Sequence, residues 1–430
     1  MKKYSFLLIL IVNLFSAQEN WTLQQCLDYA QKTNPDVRQG LLEVNKNIRE
    51  KNMATGKLLP SVNANVGHSY SFGSTINPSN NAREALNVQY DQFSAQANVD
   101  LFNWKNYLNI GLSKLNKESS EYRSQSILND VKLNIINLFF QYQKNKSWLE
   151  VLEPQVSGMK EQIARTEKEV EIGNRAKSDV YDIKANFGTI QEQWISAQND
   201  VNISKINLLS ALNINQDSIN FVMNGSEAEA FPFISKENLI EELVKKNPVY
   251  AETQKNIEIA NQRLKIAKSG YLPSISGQYQ WSTFYSKVLN SGNIAPNFSD
   301  QFSQNKNQQV YLGLNIPIFQ QFHVKNNVEI SKLDKLNTEY DNQKKITELY
   351  KTLNIIAEQY SNATEKNRLL NENFENQKLS FERSEEKYRE GLIDAYNFFV
   401  VRNNWLQANY NLINSKFDVM QQTELLKVFE

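Results

Sequence analysis

The chain has 430 residues, with 47 Lys and Arg balanced by 47 Asp and Glu. That length accommodates two or three ordinary domains, and the even charge, with no basic stripe or acidic tail, excludes a nucleic-acid binder. Two histidines, one cysteine and no Gly-rich phosphate loop or nucleophile motif leave no metal-ligand set, no cofactor site and no catalytic constellation, so an enzyme is not expected.

The first residues, 1–17, read as a secretory signal. Lys2 and Lys3 give a positive end, 6–15 form an apolar core too short to span a bilayer, and Ser16 and Ala17 are small. Beyond this segment no run of about 18 apolar residues occurs, so no transmembrane helix is predicted. Cys26 has no intramolecular partner and reads as a small core residue.

The rest is a tandem repeat, 18–215 and 236–430, joined by a linker at 216–235. Each half opens with a short helix and then Asn-Pro, at Asn34–Pro35 and Asn247–Pro248. Proline ends one helix and suits the first turn of the next. The second helix of each half stops at Leu-Pro, Leu59–Pro60 and Leu272–Pro273. There the apolar period changes from about 3.6 to 2. Strands are predicted over 61–72, 93–102, 274–285 and 310–318. In the first, Val62, Ala64, Val66, His68 and Tyr70 alternate with Ser61, Asn63, Asn65, Gly67 and Ser69. In the second, Phe93, Ala95, Ala97, Val99 and Leu101 share one face.

Strands of this length cross a bilayer when tilted, and polar loops, 73–92 and 286–309, join each pair. Tyr279, Trp281 and Tyr285 suit an aromatic belt at a lipid interface. Four strands cannot close a barrel, and open sheet edges cannot face lipid. Several copies must therefore share one barrel. Three copies make twelve strands and two make eight, and eight leave an interior that side chains fill.

A helical hairpin follows each strand pair, over 104–213 and 322–428. From Leu128, apolar residues recur at alternating spacings of three and four through Ile135, Tyr142, Leu152 and Met159 to Val170. The same register, offset by 218, runs from Ile346 through Leu353 and Tyr360 to Tyr388. Each run ends at a glycine, Gly173 or Gly391, and the spacing resumes behind it. Such a repeat underwinds helices into a left-handed supercoil. At 1.5 Å per residue the descending helices each span roughly 100 Å. Pro154 lies inside the first without shifting its phase, which reads as a kink and not a stop. The expected fold is therefore mainly α with a membrane β-barrel: long antiparallel coiled-coil hairpins plus four strands per chain.

In this order the landmarks resemble the TolC family of outer-membrane efflux proteins. The resemblance covers the mature chain. It rests on the duplication, the two Asn-Pro openings, Leu-Pro before each strand pair, Leu101 to Asn103, Ile316 to Phe319, and Asp179–Val180 after the glycine turn. It implies a homotrimer whose shared twelve-stranded barrel sits in outer-membrane lipid above a periplasmic helical tunnel. It also implies a passive export duct for small molecules or proteins, working with a periplasmic adaptor (membrane fusion) protein and an inner-membrane transporter.

By the same resemblance the turns after the two glycines form the periplasmic tip. Family members often carry an aspartate pair six and nine residues after the second glycine, where this chain has Asn397 and Val400. The first hairpin has carboxylates at that spacing instead, Asp179 and Asp182. An arginine that often follows the second glycine by two is Ile393 here, while the first hairpin has Arg175. The tyrosine three before the second glycine is kept as Tyr388. Asp179, Asp182, Arg175 and Tyr388 are thus the expected gate residues; the acids also fit a helix N-terminus, where the macrodipole favours them. Gly173, Ala176, Gly391 and Ala395 mark the expected adaptor-docking turns. The competing reading, a pore-free structural coiled-coil protein or adhesin of the cell envelope, explains the heptads but not the four alternating strands.

Overall fold

The structure, a computed structural model, describes residues 19–77, 80–215, 219–222, 236–289 and 296–430. The secretory signal expected at 1–17 and most of the linker expected at 216–235 lie outside these residues. In chain order the first half comprises β1 (Glu19–Trp21), α1 (Leu23–Thr33), α2 (Pro35–Gly56), β2 (Ser61–Ser71), β3 (Ser74–Ile76), β4 (Arg83–Ala85), β5 (Asn87–Asn103), α3 (Trp104–Glu171), α4 (Lys177–Ala211) and β6 (Ile219–Phe221). The second comprises α5 (Lys236–Lys246), α6 (Pro248–Lys268), β7 (Ser274–Leu289), α7 (Phe298–Gln304), β8 (Asn307–Asn315), α8 (His323–Arg389) and α9 (Ala395–Lys427). The chain divides into two compact units: Met1–Leu42, Tyr122–Ala251 and Lys345–Glu430 form one, and Glu43–Glu121 and Glu252–Lys344 the other.

The first unit is helical, and its boundaries follow from local chemistry. Thr22 and Gln25 form a reciprocal capping box on α1. Asn34 explains the Asn-Pro signature: its side-chain oxygen accepts from Asp36 N at 2.9 Å, while Pro35 fills a position whose N–H would have no helical partner. Asn247 repeats the arrangement, accepting from Val249 N at 2.8 Å. Along α3 and α8 the heptad positions named above are buried or half-buried, and the helix α3 runs unbroken through Pro154.

One core gathers Ile135, Phe139, Phe140, Leu208, Leu353 and Leu426 with residues of α1 and α5. Cys26 lies fully buried within it, and burial pushes its thiol up to about 12. A second core, nearer the hairpin turns, joins Met159, Ile183, Tyr388, Phe398 and Phe399. The predicted linker holds structure of its own: β6 pairs in parallel with β1, Glu19 opposite Ile219, and Gln143 Nε2 donates to the Phe221 carbonyl at 3.2 Å.

The second unit carries an antiparallel sheet in the order β2-β5-β7-β8. Its register sorts the side chains into two faces. Val62, Ala97, Tyr279 and Val310 lie in one cross-strand row, and Ala64, Ala95 and Trp281 in the next. The opposite face carries Asn63, Gln96, Gln280 and Gln309 in one row and Asn98, Gln278 and Tyr311 in another. The sheet is thus apolar on one side and polar on the other, the partition that alternating strands create. Both outer strands keep an unpaired edge among the described residues, and Val62, Val66, Val310, Leu312 and Leu314 stand exposed on them.

Two of the loops differ from expectation. β5 begins at Asn87, not at 93, because the polar residues before Phe93 pair with β2 and β7. The loops expected at 73–92 and 286–309 contain the β3–β4 hairpin and the helix α7. The last predicted strand, 310–318, is shifted to Asn307–Asn315. A register shift between Asp100 and Phe102 sets Phe102 opposite Ile275, so the alternation read through Leu101 is interrupted by a bulge. No described helix is long and apolar enough to cross a membrane, which bears only on helices.

Candidate functional site

The two hairpin turns are built alike at their glycines. Gly173 and Gly391 have φ of 79° and 76°, the left-handed region in which a side chain is strained. Around each, the amide one residue beyond the glycine reaches back five positions. Asn174 N bonds to Glu169 O and Leu392 N to Lys387 O, both at 2.8 Å, closing a Schellman motif. The turns differ at the start of the returning helix. Asp394 caps α9, accepting from Asn397 N at 2.8 Å. Ala176 stands at the same place before α4 and offers no side-chain cap.

Arg175 leaves the first turn and contacts the end of α8. Its guanidinium carbon lies 4.4 Å from the centre of the Tyr388 ring, and Nη2 donates to the Tyr388 carbonyl at 3.1 Å. Its Nε pairs with Glu169 at 2.7 Å, and Nη1 lies 3.6 Å from Asp179. Phe398 stacks on the Tyr388 ring at a centroid distance of 4.7 Å and an interplanar angle of 6°. Burial pushes the Tyr388 phenol above its ordinary range, with Arg175 opposing and Asp179 adding to the rise. Its hydroxyl is buried beside Gln162 and Thr166, which oppose the rise. A cavity of about 320 Å³ adjoins it, lined by Arg165, Glu169, Arg175, Glu385 and Arg389.

Of the expected gate residues, Arg175, Asp179 and Tyr388 therefore meet in one contact. Asp182 stands exposed and apart from it. Among the expected docking residues Gly173, Ala176 and Gly391 are exposed, whereas Ala395 is fully buried. Ala395 opens α9 on the side facing the Phe398 core, so its small size serves packing. Three contributors were missed in the sequence. Glu169 was visible only as the i+4 partner of Arg165. Asp394 has a cap residue's identity but was not singled out. Arg402 on α9 is 4% exposed and reaches Met159 Sδ and, at 2.8 Å, Gln155 Oε1. Burial brings its guanidinium down to about 10, with Glu385 opposing.

The sequence profile described as outer membrane efflux protein matches residues 26–213 and 239–428, which covers both repeats. The chain belongs to the outer membrane efflux protein family. Among its relatives, the outer membrane protein TolC of Vibrio cholerae is 21% identical over 267 residues, 61% of this chain and 57% of that protein. TolC of Escherichia coli is 20% identical over 304 residues, 69% of this chain and 59% of that protein. The matches thus span less than two thirds of either relative. The crystal structure of the CmeC outer membrane channel of Campylobacter jejuni superposes with a TM-score of 0.77 at 18% identity, covering 95% of this chain and 85% of that one. For this family member, the agreement fixes the fold class: helical hairpins with a four-strand share of a membrane barrel, in the outer membrane.

Proposed function

We infer that three copies of this chain assemble into a passive outer-membrane duct for export of small molecules or proteins. The observation that carries the reading is the four-stranded sheet, apolar on one face and polar on the other, with both edges unpaired. In lipid every backbone donor and acceptor needs a partner, so the edges must pair with other copies. β2 and β8 run antiparallel across the sheet order, so β8 of one copy meets β2 of the next in the same sense as the pairs within the chain. Twelve strands enclose a polar channel, whereas eight enclose little beyond their own side chains. The polar face then lines the lumen and the apolar face meets lipid.

In this reading the hairpin turns form the periplasmic entrance. The contact of Arg175 and Asp179 with Tyr388 holds the end of α8 to the first turn, and its release widens the entrance. Asp182 lends exposed negative charge beside it, suited to cations. The exposed turns at Gly173, Ala176 and Gly391 receive a periplasmic adaptor protein, which links the duct to an inner-membrane transporter. The residues supply positioning and a path; no catalytic step is assigned to them.

The test is the mass of the detergent-solubilised protein together with its conductance in planar bilayers. Three times the mature mass and a cation-selective conductance support the duct. A monomer or dimer with no conductance refutes it.

A further inference from the structure

Helix α7 lies in the loop between β7 and β8, and its contacts are unusual for a loop. β7 pairs with β5 as far as Leu289 but with β8 only as far as Ser282. Beyond Ser282, β7 therefore extends past its neighbour with a bare edge. Side chains around α7 occupy that edge. Asn305 Nδ2 donates to the Phe284 carbonyl at 2.9 Å, Gln301 Oε1 accepts from Ser286 N at 3.0 Å, and Gln301 Nε2 donates to the Ser286 carbonyl at 2.9 Å. One buried glutamine thus reproduces the donor–acceptor pair that the next strand would have supplied. Thr283, 2% exposed, adds a bond to the Phe302 carbonyl at 2.8 Å.

The helix also rests on the apolar face of the sheet. Phe298 contacts Phe93 and Tyr285, and Phe302 contacts Phe93 and Trp281, at centroid distances of 5.3–5.9 Å. Its outer side is different: Ser299, Asp300, Ser303 and Gln304 are exposed, and Phe298 is 48% exposed at the margin. The rows of the sheet change character at the same height. From Ile275 to Thr283 the neighbours on this face are Phe102, Val99, Ala97, Ala95 and Phe93; above them Asp91 faces Tyr285 and His68, and Gln89 faces Lys287. Eight residues of strand at about 3.3 Å each rise roughly 20 Å when tilted by about 40°, close to the ~25 Å apolar band of such barrels.

We propose that α7 is a membrane-interface element, lying against the outer wall of the barrel at the lipid headgroup boundary. There its phenylalanines meet the acyl side and its serines and Asp300 meet the headgroups, while Gln301 and Asn305 seal a strand edge that would otherwise face that boundary unpaired. Short amphipathic helices with this partition lie in the interface plane, and a bare edge that reaches the acyl side of that boundary meets no water to pair its backbone groups. The proposal rests on the lipid-facing reading of the apolar sheet face, and it commits to lipid as the occupant because that face continues without interruption under the helix.

The experiment uses the full chain reconstituted into phosphatidylcholine vesicles. Cys26 is buried and its thiol is pushed up to about 12, so it leaves introduced cysteines as the reactive ones. Ser299→Cys and Tyr279→Cys each receive a fluorophore, and the vesicles carry nitroxide lipids labelled at the headgroup or at mid-chain. The Tyr279→Cys label loses most of its fluorescence to mid-chain nitroxides, and the Ser299→Cys label loses most of its own to headgroup nitroxides and little to mid-chain ones. Quenching at 279 with none at 299, or with mid-chain quenching at 299, overturns the α7 proposal and leaves the duct reading standing. No mid-chain quenching at 279 overturns the lipid-facing sheet and with it both readings. Independently, Gln301→Ala speeds amide exchange at Ser286 by about tenfold, the loss of roughly one hydrogen bond; unchanged exchange overturns the edge seal.

Discussion

Replacing Arg175 by alanine removes four contacts at once and leaves the turn glycine and both helices in place. The side chain is 16% exposed, so its hydrogen bond to the Tyr388 carbonyl is a charged bond in a partly dry site, worth about 1.5–3 kcal/mol. The guanidinium over the Tyr388 ring adds about 1 kcal/mol. The pairs with Glu169 and Asp179, whose side chains are 24% and 19% exposed, are screened and add ~1 kcal/mol or less each. These are not additive, and a net of about 3 kcal/mol is expected for the local tie, roughly a hundredfold in its opening equilibrium. Two assays read it. Amide exchange at Leu392, whose N–H closes the second turn, accelerates by that order, and single-channel records show longer or wider openings. A double-mutant cycle with Tyr388→Leu isolates the shared part: the two losses fall short of adding. Parental exchange at Leu392 with parental conductance, or strict additivity in the cycle, would refute the clamp.

Ala176→Glu places charge on an exposed turn and is expected to abolish export in cells while leaving the assembled yield at the parental level; Ala395→Glu, aimed into the Phe398 core, is expected to lower the yield itself. Reversal of that pattern in membrane-fraction blots would remove the docking assignment. Arg402→Met exchanges a buried charge for a thioether of similar reach and is expected to raise stability by roughly 1–3 kcal/mol. The folded value lies below arginine's ordinary one, so the folded chain holds that proton less tightly; the destabilisation is constant below about pH 10 and lifts as pH rises beyond it. Denaturant melts of the parent and variant should therefore differ by the same amount at pH 6 and pH 8. Asp394→Ala removes the cap on α9 and is expected to cost about 1 kcal/mol, read as faster exchange at Asn397, whereas Ala176→Asp supplies a missing cap to α4 and is expected to gain a comparable amount.

The helices were legible because their cause is periodic and local. Every third and fourth residue from Leu128 to Val170 is withdrawn from water, and the Asn-Pro signature resolves into a side-chain cap and a proline at the first helical position. The strands were legible in the middle, where apolar and polar residues alternate, and not at their ends. Asn87 to Gln92 carry little apolar signal and become strand because neighbours on both sides offer them partners. α7 was hidden for a related reason: seven residues with two phenylalanines form a helix only over a sheet face that the sequence cannot display. The pairing of β1 with β6 joins segments 200 residues apart, a distance no local pattern spans. At the turns, residue identities pointed to Arg175, Asp179 and Tyr388, but only the fold reveals that Asp182 stands outside their contact and that Ala395 faces inward.

The contact between Arg175 and Tyr388 also shows what a duplicated chain can do that a ring of identical hairpins cannot. The repeat offset of 218 places Val170 opposite Tyr388 and Ile393 opposite Arg175. Each repeat therefore carries one half of the contact and an aliphatic residue where the other half would stand. In identical hairpins, any change to the arginine would alter every turn in the ring at once. Here the donor and the ring that receives it can mutate separately, so the strength of the contact can be tuned in small steps, one repeat at a time, while the other repeat goes on holding the helices in register.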